Sequence, residues 1–212
     1  RSILRPSIRN IFIFFESLFF INFKKNNHYN TILEAKRLKE NSFLEVDNIF
    51  TDKQIDEIRS FLSDKYLLEP IYSDHENFYL NNKPPGIKTG YFQTKNLIKC
   101  PHIFEGANNE KILSILSNYF GCKFKLDWVW AWWSFPSNEK AGPQLFHRDY
   151  ESFNFIKLFV YLTDVDENSG PHEIIKESHN DNTFYKRKRF SDKDISDNFK
   201  KNNCIKIHGK SG

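Results

Sequence analysis

Hydrophobic and polar positions divide the chain into a helical first half and a strand-rich second half. In residues 31–40, Ile32, Leu33, Ala35 and Leu38 recur at helical spacing, and the pattern breaks at Asn41-Ser42. Residues 43–46 (FLEV) read as a short strand. Thr51 followed by Gln54 has the spacing of a capping box, in which each side chain satisfies the other residue's backbone N–H. Ile55, Ile58, Phe61 and Leu62 then recur at helical spacing. Residues 70–110 are loop-rich, punctuated at Asn81-Asn82 and Pro84-Pro85-Gly86. The run 110–119 predicts another amphipathic helix, stopped by Gly121, which tolerates the left-handed conformation after a helix end.

From Lys123 the period changes to two. Phe124, Leu126, Trp128, Trp130 and Trp132 predict a long strand with one heavily aromatic face, expected inside a barrel or sheet sandwich. Residues 144–150 and 153–162 read as further strands, 164–170 as an acidic turn, 173–175 and 204–207 as short strands, and 191–199 as weakly helical. Helices first and strands second make the fold class α+β, with no internal repeat.

The N-terminal segment stands apart. Residues 11–23 (IFIFFESLFFINF) are too few to span a bilayer as a helix, which needs about 20 residues, and they contain Glu16. No small-residue cleavage signature follows, so a secretory leader is not expected. On a helical wheel Arg9, Asn10, Glu16 and Ser17 form one narrow polar stripe. We therefore treat residues 1–30 as an apolar N-terminal helix and 31–212 as the main domain. The helix is expected to pack on the domain or on a partner subunit, or to lie on a membrane surface between its basic flanks.

Composition narrows the choices. With 8 Gly and 8 Pro in 212 residues, collagen-like and low-complexity classes are excluded. The 22 Phe residues favour flat packing surfaces, which suits sheet. A net charge of +4 is far from a nucleic-acid footprint, so no nucleic-acid partner is expected. Part of the excess lies in Lys186-Arg187-Lys188-Arg189, a solvated loop or a clamp for an acidic substrate. Cys100, Cys122 and Cys204 show no metal spacing, and reduced thiols point to a cytoplasmic protein, with peripheral membrane contact through 11–23 as the alternative setting.

The chemistry concentrates in Gln144-Leu-Phe-His147-Arg-Asp149. In extended backbone, side chains at i and i+2 share a face, so an imidazole nitrogen and a carboxylate oxygen can meet one metal ion. With a distant histidine such a pair forms the facial triad of non-haem Fe(II) oxygenases. By itself His-x-Asp is a weak signal. An aromatic strand before it, an apolar strand after it and the Asn168-Ser169-Gly170-Pro171 turn raise it.

Residues 132–179 resemble the phytanoyl-CoA dioxygenase family of Fe(II)- and 2-oxoglutarate-dependent oxygenases. The matching pieces are Gln144-x-x-His147-x-Asp149, Tyr161-Leu162-Thr163-Asp164, Asn168-Ser169-Gly170-Pro171 and Ser178-His179, and residues 36–50 resemble that family's entry helix and strand. The resemblance covers roughly 31–212 and implies a double-stranded β-helix, a cupin-like jelly-roll, with flanking helices. It implies His147 and Asp149 as catalytic iron ligands, with 2-oxoglutarate and O₂ as cosubstrates and hydroxylation of a small molecule. Gln144 and Leu162 sit where the family places residues near the cosubstrate or substrate, and Trp128, Trp130 and Trp132 would wall the pocket. The substrate fits an acidic or ring-bearing small molecule.

Two departures accompany the resemblance. Lys176-Glu177 stands where the family usually has Pro-Gly. The family's distal histidine ligand and the arginine for 2-oxoglutarate follow a Gly-x-x-Gly turn, here Gly209-Lys-Ser-Gly212, so both are expected beyond Gly212 and the chain reads as C-terminally incomplete. His172, His179 and His208 do not match the distal position. The alternatives are a non-catalytic jelly-roll binding module that keeps a degenerate metal site, and an interaction domain in which His-x-Asp is an incidental surface pair.

Overall fold

The computed structural model describes residues 30–46, 49–69, 77–137, 140, 142–149, 151, 154–182, 184 and 188–212. The N-terminal segment 11–23, together with Lys186 and Arg187 of the basic run, lies outside the described residues. Helix α1 (Ile32–Asn41) ends where the pattern breaks, with Ser42 at φ +70° and its N–H on the Leu38 carbonyl. It packs along α5 (Glu110–Phe120). Its buried apolar residue is the small Ala35, while Ile32 and Leu33 face solvent. The contact is polar as well: Thr31 Oγ1 and Ser114 Oγ meet at 2.8 Å in a buried position, and Asn118 Nδ2 donates to Thr31 Oγ1. Gly121 caps α5 at φ +65°. The strand expected at 43–46 does not form, since those residues join no ladder.

Helix α2 (Asp52–Ser63) begins with the Thr51–Gln54 capping box and buries Ile55, Ile58 and Leu62. These residues found the main core with Phe50, Leu67, Phe78, Ile87, Phe92, Leu97 and Phe135. The core packs against an antiparallel sheet of β1 (Leu67–Leu68), β2 (Thr89–Phe92) and β3 (Trp132–Ser134), in that order. Gly90 is required by this packing: a Cβ there would stand 2.8 Å from Phe78 Cζ and 3.0 Å from Leu67 Cβ. Short helices α3 (Thr94–Leu97) and α4 (Ile103–Ala107) add Leu97 and Ile103 to the same core.

A second, smaller core of Ile175, Phe190 and Ile195 lies under an antiparallel pair, β4 (His172–Ile175) and β5 (Cys204–Ile207). Helix α6 (Asp192–Asn198) carries a Ser191–Asp194 capping box. Beyond β5 the chain runs on along 161–165, with Val165 bridging Gly209 and Gly212 N donating to Tyr161 O. The fold is thus mixed helix and sheet with small antiparallel sheets. No helix among the described residues is long and apolar enough to cross a membrane.

The aromatic strand differs from expectation in two ways. The regular strand covers Trp132–Ser134 alone, and 153–162 forms no assigned strand among its described residues. Outside β3, Phe92 N donates to Ala131 O and Gly212 N to Tyr161 O. The period of two is real, but its inward face is the opposite one. Val129, Ala131, Trp133 and Phe135 pack on the main core, while Trp128, Trp130 and Trp132 are 63%, 52% and 38% exposed. Alternation defines two faces without saying which is inside. Here the less bulky set fits the core, whereas burying the three indoles would require a hydrogen-bond partner for each N–H.

Candidate metal centre

The site is built on the segment after the 3₁₀ turn Gly142–Gln144. Phe146 packs against the second core, and its carbonyl accepts from the backbone N–H of fully buried Phe190 at 2.8 Å. Arg148 anchors the next step. Its Nη2 donates to the carbonyls of Ser178 and Asp181 at 2.5 and 2.7 Å. His147 and Asp149 alternate with these anchored residues, and His147 Nε2 stands 3.4 Å from Asp149 Oδ1.

The imidazole is oriented from behind. Nδ1 lies 2.7 Å from the carbonyl of Leu145, which can only accept, so Nδ1 carries a proton and Nε2 is the atom turned to Asp149. A ring held in this way is the usual state of a metal-binding histidine. The other carboxylate oxygen, Asp149 Oδ2, takes an ion pair with Lys157 Nζ at 2.8 Å. Lys157 also reaches Glu151 Oε1 at 2.8 Å. Burial pushes the Asp149 carboxyl up, but the hydrogen bonds from His147 and Lys157 and the Lys157 charge outweigh it and hold the group at about 2. Burial likewise opposes the charge on Lys157, and its bonds to Asp149 and Glu151 overcome this and raise its pKa.

Around the pair lies an aromatic face. Lys157 Nζ is 5.9 Å from the Trp130 ring centre, and Trp130 lies 6.1 Å from Trp128. Trp132 stacks on its cross-strand partner Tyr91 at 6.0 Å and meets Phe159 edge-on at 5.8 Å. Phe159 in turn lies 4.7 Å from His172. Burial lowers the His172 pKa, while Asp149 acts to raise it and His147 and Lys157 to lower it, so this imidazole feels the charges of the pair.

The remaining sequence-derived positions fall elsewhere. Gln144 ends the 3₁₀ turn, half-buried. Leu162 packs on the main core. His208 pairs with Glu167, and His179 Nε2 is held at Lys39 O. Among the described residues no three His, Cys, Asp or Glu side chains gather as a metal-holding group. Lys157, Glu151 and Phe159 were not singled out from sequence, and His172 was considered only as a distal ligand, which it did not match. A signal existed for Lys157, which is the one charged residue in the apolar run 153–162. A lone charge inside such a run needs a partner.

The described residues thus place a His-x-Asp pair beside aromatic side chains in a mixed helix-and-sheet chain. The family is then given by the whole-length pattern. The chain belongs to the phytanoyl-CoA dioxygenase family, whose sequence model matches residues 38–210. No curated protein and no solved structure matches the chain.

Proposed function

We propose that the protein is an Fe(II)- and 2-oxoglutarate-dependent dioxygenase that hydroxylates a small molecule, with His147 and Asp149 as two of its iron ligands. The observation that carries the reading is the 3.4 Å approach of Nε2 and Oδ1, in a chain of this family. The donor set fits a hard-to-borderline divalent cation. Donors each about 2.1 Å from one ion can stand at most about 4.2 Å apart, and one nitrogen with one ionised oxygen is part of the facial-triad set.

Bound iron with 2-oxoglutarate and O₂ supplies the oxidising chemistry, giving succinate and CO₂ and placing one oxygen atom on the substrate. The chain's own residues prepare the site. The Leu145 carbonyl keeps the proton on His147 Nδ1, so the proton that Nε2 shares with Asp149 is the one a cation would displace. Asp149 stays ionised across the neutral range because its carboxyl is held at about 2. Trp130, Trp132 and Phe159 offer stacking faces beside the pair, which suits a ring-bearing substrate, and Lys157 suits an acidic one. Trp128 extends that wall. Gln144 belongs to the cosubstrate side of this proposal, whereas Leu162 contributes from the core side only.

The proposal also includes a jelly-roll frame for residues 31–212 and a separate N-terminal helix for 1–30. It includes a cytoplasmic setting and a membrane-surface or subunit contact through 11–23. The test is turnover. The full-length protein with Fe(II), ascorbate, O₂ and 2-oxoglutarate should form succinate, and Asp149→Asn should abolish it. Succinate formation undiminished in Asp149→Asn overturns the assignment.

A further inference from the structure

We propose that Lys157 is a positioning residue that holds Asp149 as a one-oxygen ligand, and that Glu151 holds Lys157 in turn. This rests on the metal reading above. The Asp149 carboxylate has two oxygens with different duties. Oδ2 lies 2.8 Å from Lys157 Nζ, and Oδ1 is the oxygen turned to His147 Nε2 at 3.4 Å. An ammonium on Oδ2 removes the choice of which oxygen, and how many, a cation meets.

The ammonium is itself fixed from the other side by Glu151 Oε1, also at 2.8 Å. Three side chains thus form a chain of two ion pairs that ends on Asp149 Oδ2 and leaves Oδ1 facing the histidine. Charge explains why Glu151 belongs to the device. Lys157 alone would cancel the charge of Asp149 and oppose a divalent cation. With Glu151 the trio carries a net charge of about −1 by formal count, which still attracts one. The Trp130 ring beside Nζ and the apolar run around Lys157 limit where the ammonium can swing.

The proposal predicts the opposite sign from simple electrostatics. Removing a cation next to a metal site should by itself tighten metal binding. Removing a positioning group should weaken it, by about 10–100-fold for an outer-shell partner. The experiment is Mn(II) binding to the full chain, read by calorimetry and by the electron paramagnetic resonance signal of free Mn(II). Thermal unfolding midpoints check that each variant folds. Lys157→Met should weaken binding by about 10-fold or more. Lys157→Gln, which has no charge but keeps one donor for Oδ2, should bind more tightly than Lys157→Met. Should the Met variant fail to fold, Lys157→Ala, which also removes both charge and donor, takes its place in the comparison with Gln. Met and Gln variants that both bind as tightly as the unmodified chain, or tighter, overturn the positioning role and leave the metal site standing. No Mn(II) binding by the unmodified chain overturns the metal reading, and this proposal with it.

Discussion

His102 presses both ring nitrogens onto carboxylates, with Nε2 2.5 Å from Glu57 and Nδ1 2.9 Å from Glu105. Two acceptors need two protons, so the folded ring is an imidazolium, tying α2 to the start of α4 from a left-handed backbone position at φ +63°. The hydrogen bond to Glu57, then that to Glu105, raises its pKa above the ordinary 6.5, and the same bond lowers Glu57. A raised folded-state value means that, while Glu57 stays ionised, the imidazolium's contribution is full below pH 6.5 and is lost as the pH climbs through the folded value. Chemical unfolding across this window should therefore show stability falling with rising pH, and His102→Gln should flatten the fall. An unchanged slope in the variant would remove His102 as its source. Nothing in the sequence pointed to this cluster, because Glu57, His102 and Glu105 meet only when two helices dock. His147 and Asp149 were legible, since neighbours at i and i+2 share a face in any extended backbone. Lys157 was visible as a lone charge, but its partners, the earlier Asp149 and Glu151, were not.

Among the elements, local rules held where the cause is local. The Thr51–Gln54 box and the Gly121 stop both lie within one turn of their helices, and both formed as the spacing predicts. The departure at Lys176-Glu177 has a visible consequence. Glu177 sits at φ +64°, the region that favours the glycine usual at this place in the family, and its N–H is held by Ser42 Oγ at 2.8 Å. The aromatic run failed on a non-local question, which face meets the core. Its stability consequence can be measured. Trp128→Ala removes a 63% exposed side chain and should cost about 0.5 kcal/mol or less, whereas Ile58→Ala, from a fully buried position, should cost about 2–5 kcal/mol. Denaturant midpoints compare the two directly. A cost at Trp128 equal to that at Ile58 would return the indoles to the interior.

At the scale of the whole molecule, the mixture of helix and sheet followed from the change of period at Lys123, and the family resemblance followed from motifs in residues 36–50 and 132–179, within the 38–210 that the family model matches. Sheet extent did not follow, because strand length depends on partners far along the chain. The two small cores are joined at the candidate site: Phe146 seats the His147 segment on the second core, while Val160 and Leu162 seat the Lys157 segment on the first. Holding one pair of side chains from two cores is what makes a short His-x-Asp motif a defined pair of donors. The central claim is that this pair holds iron. The most direct measurement is an anaerobic equilibrium titration of Fe(II) into the full-length protein, beside His147→Ala and Asp149→Asn. The account predicts one ion per chain for the unmodified protein, with binding lost or weakened by about 100-fold in each variant, as expected when a ligand itself is removed. Equal Fe(II) affinity in all three proteins would contradict it.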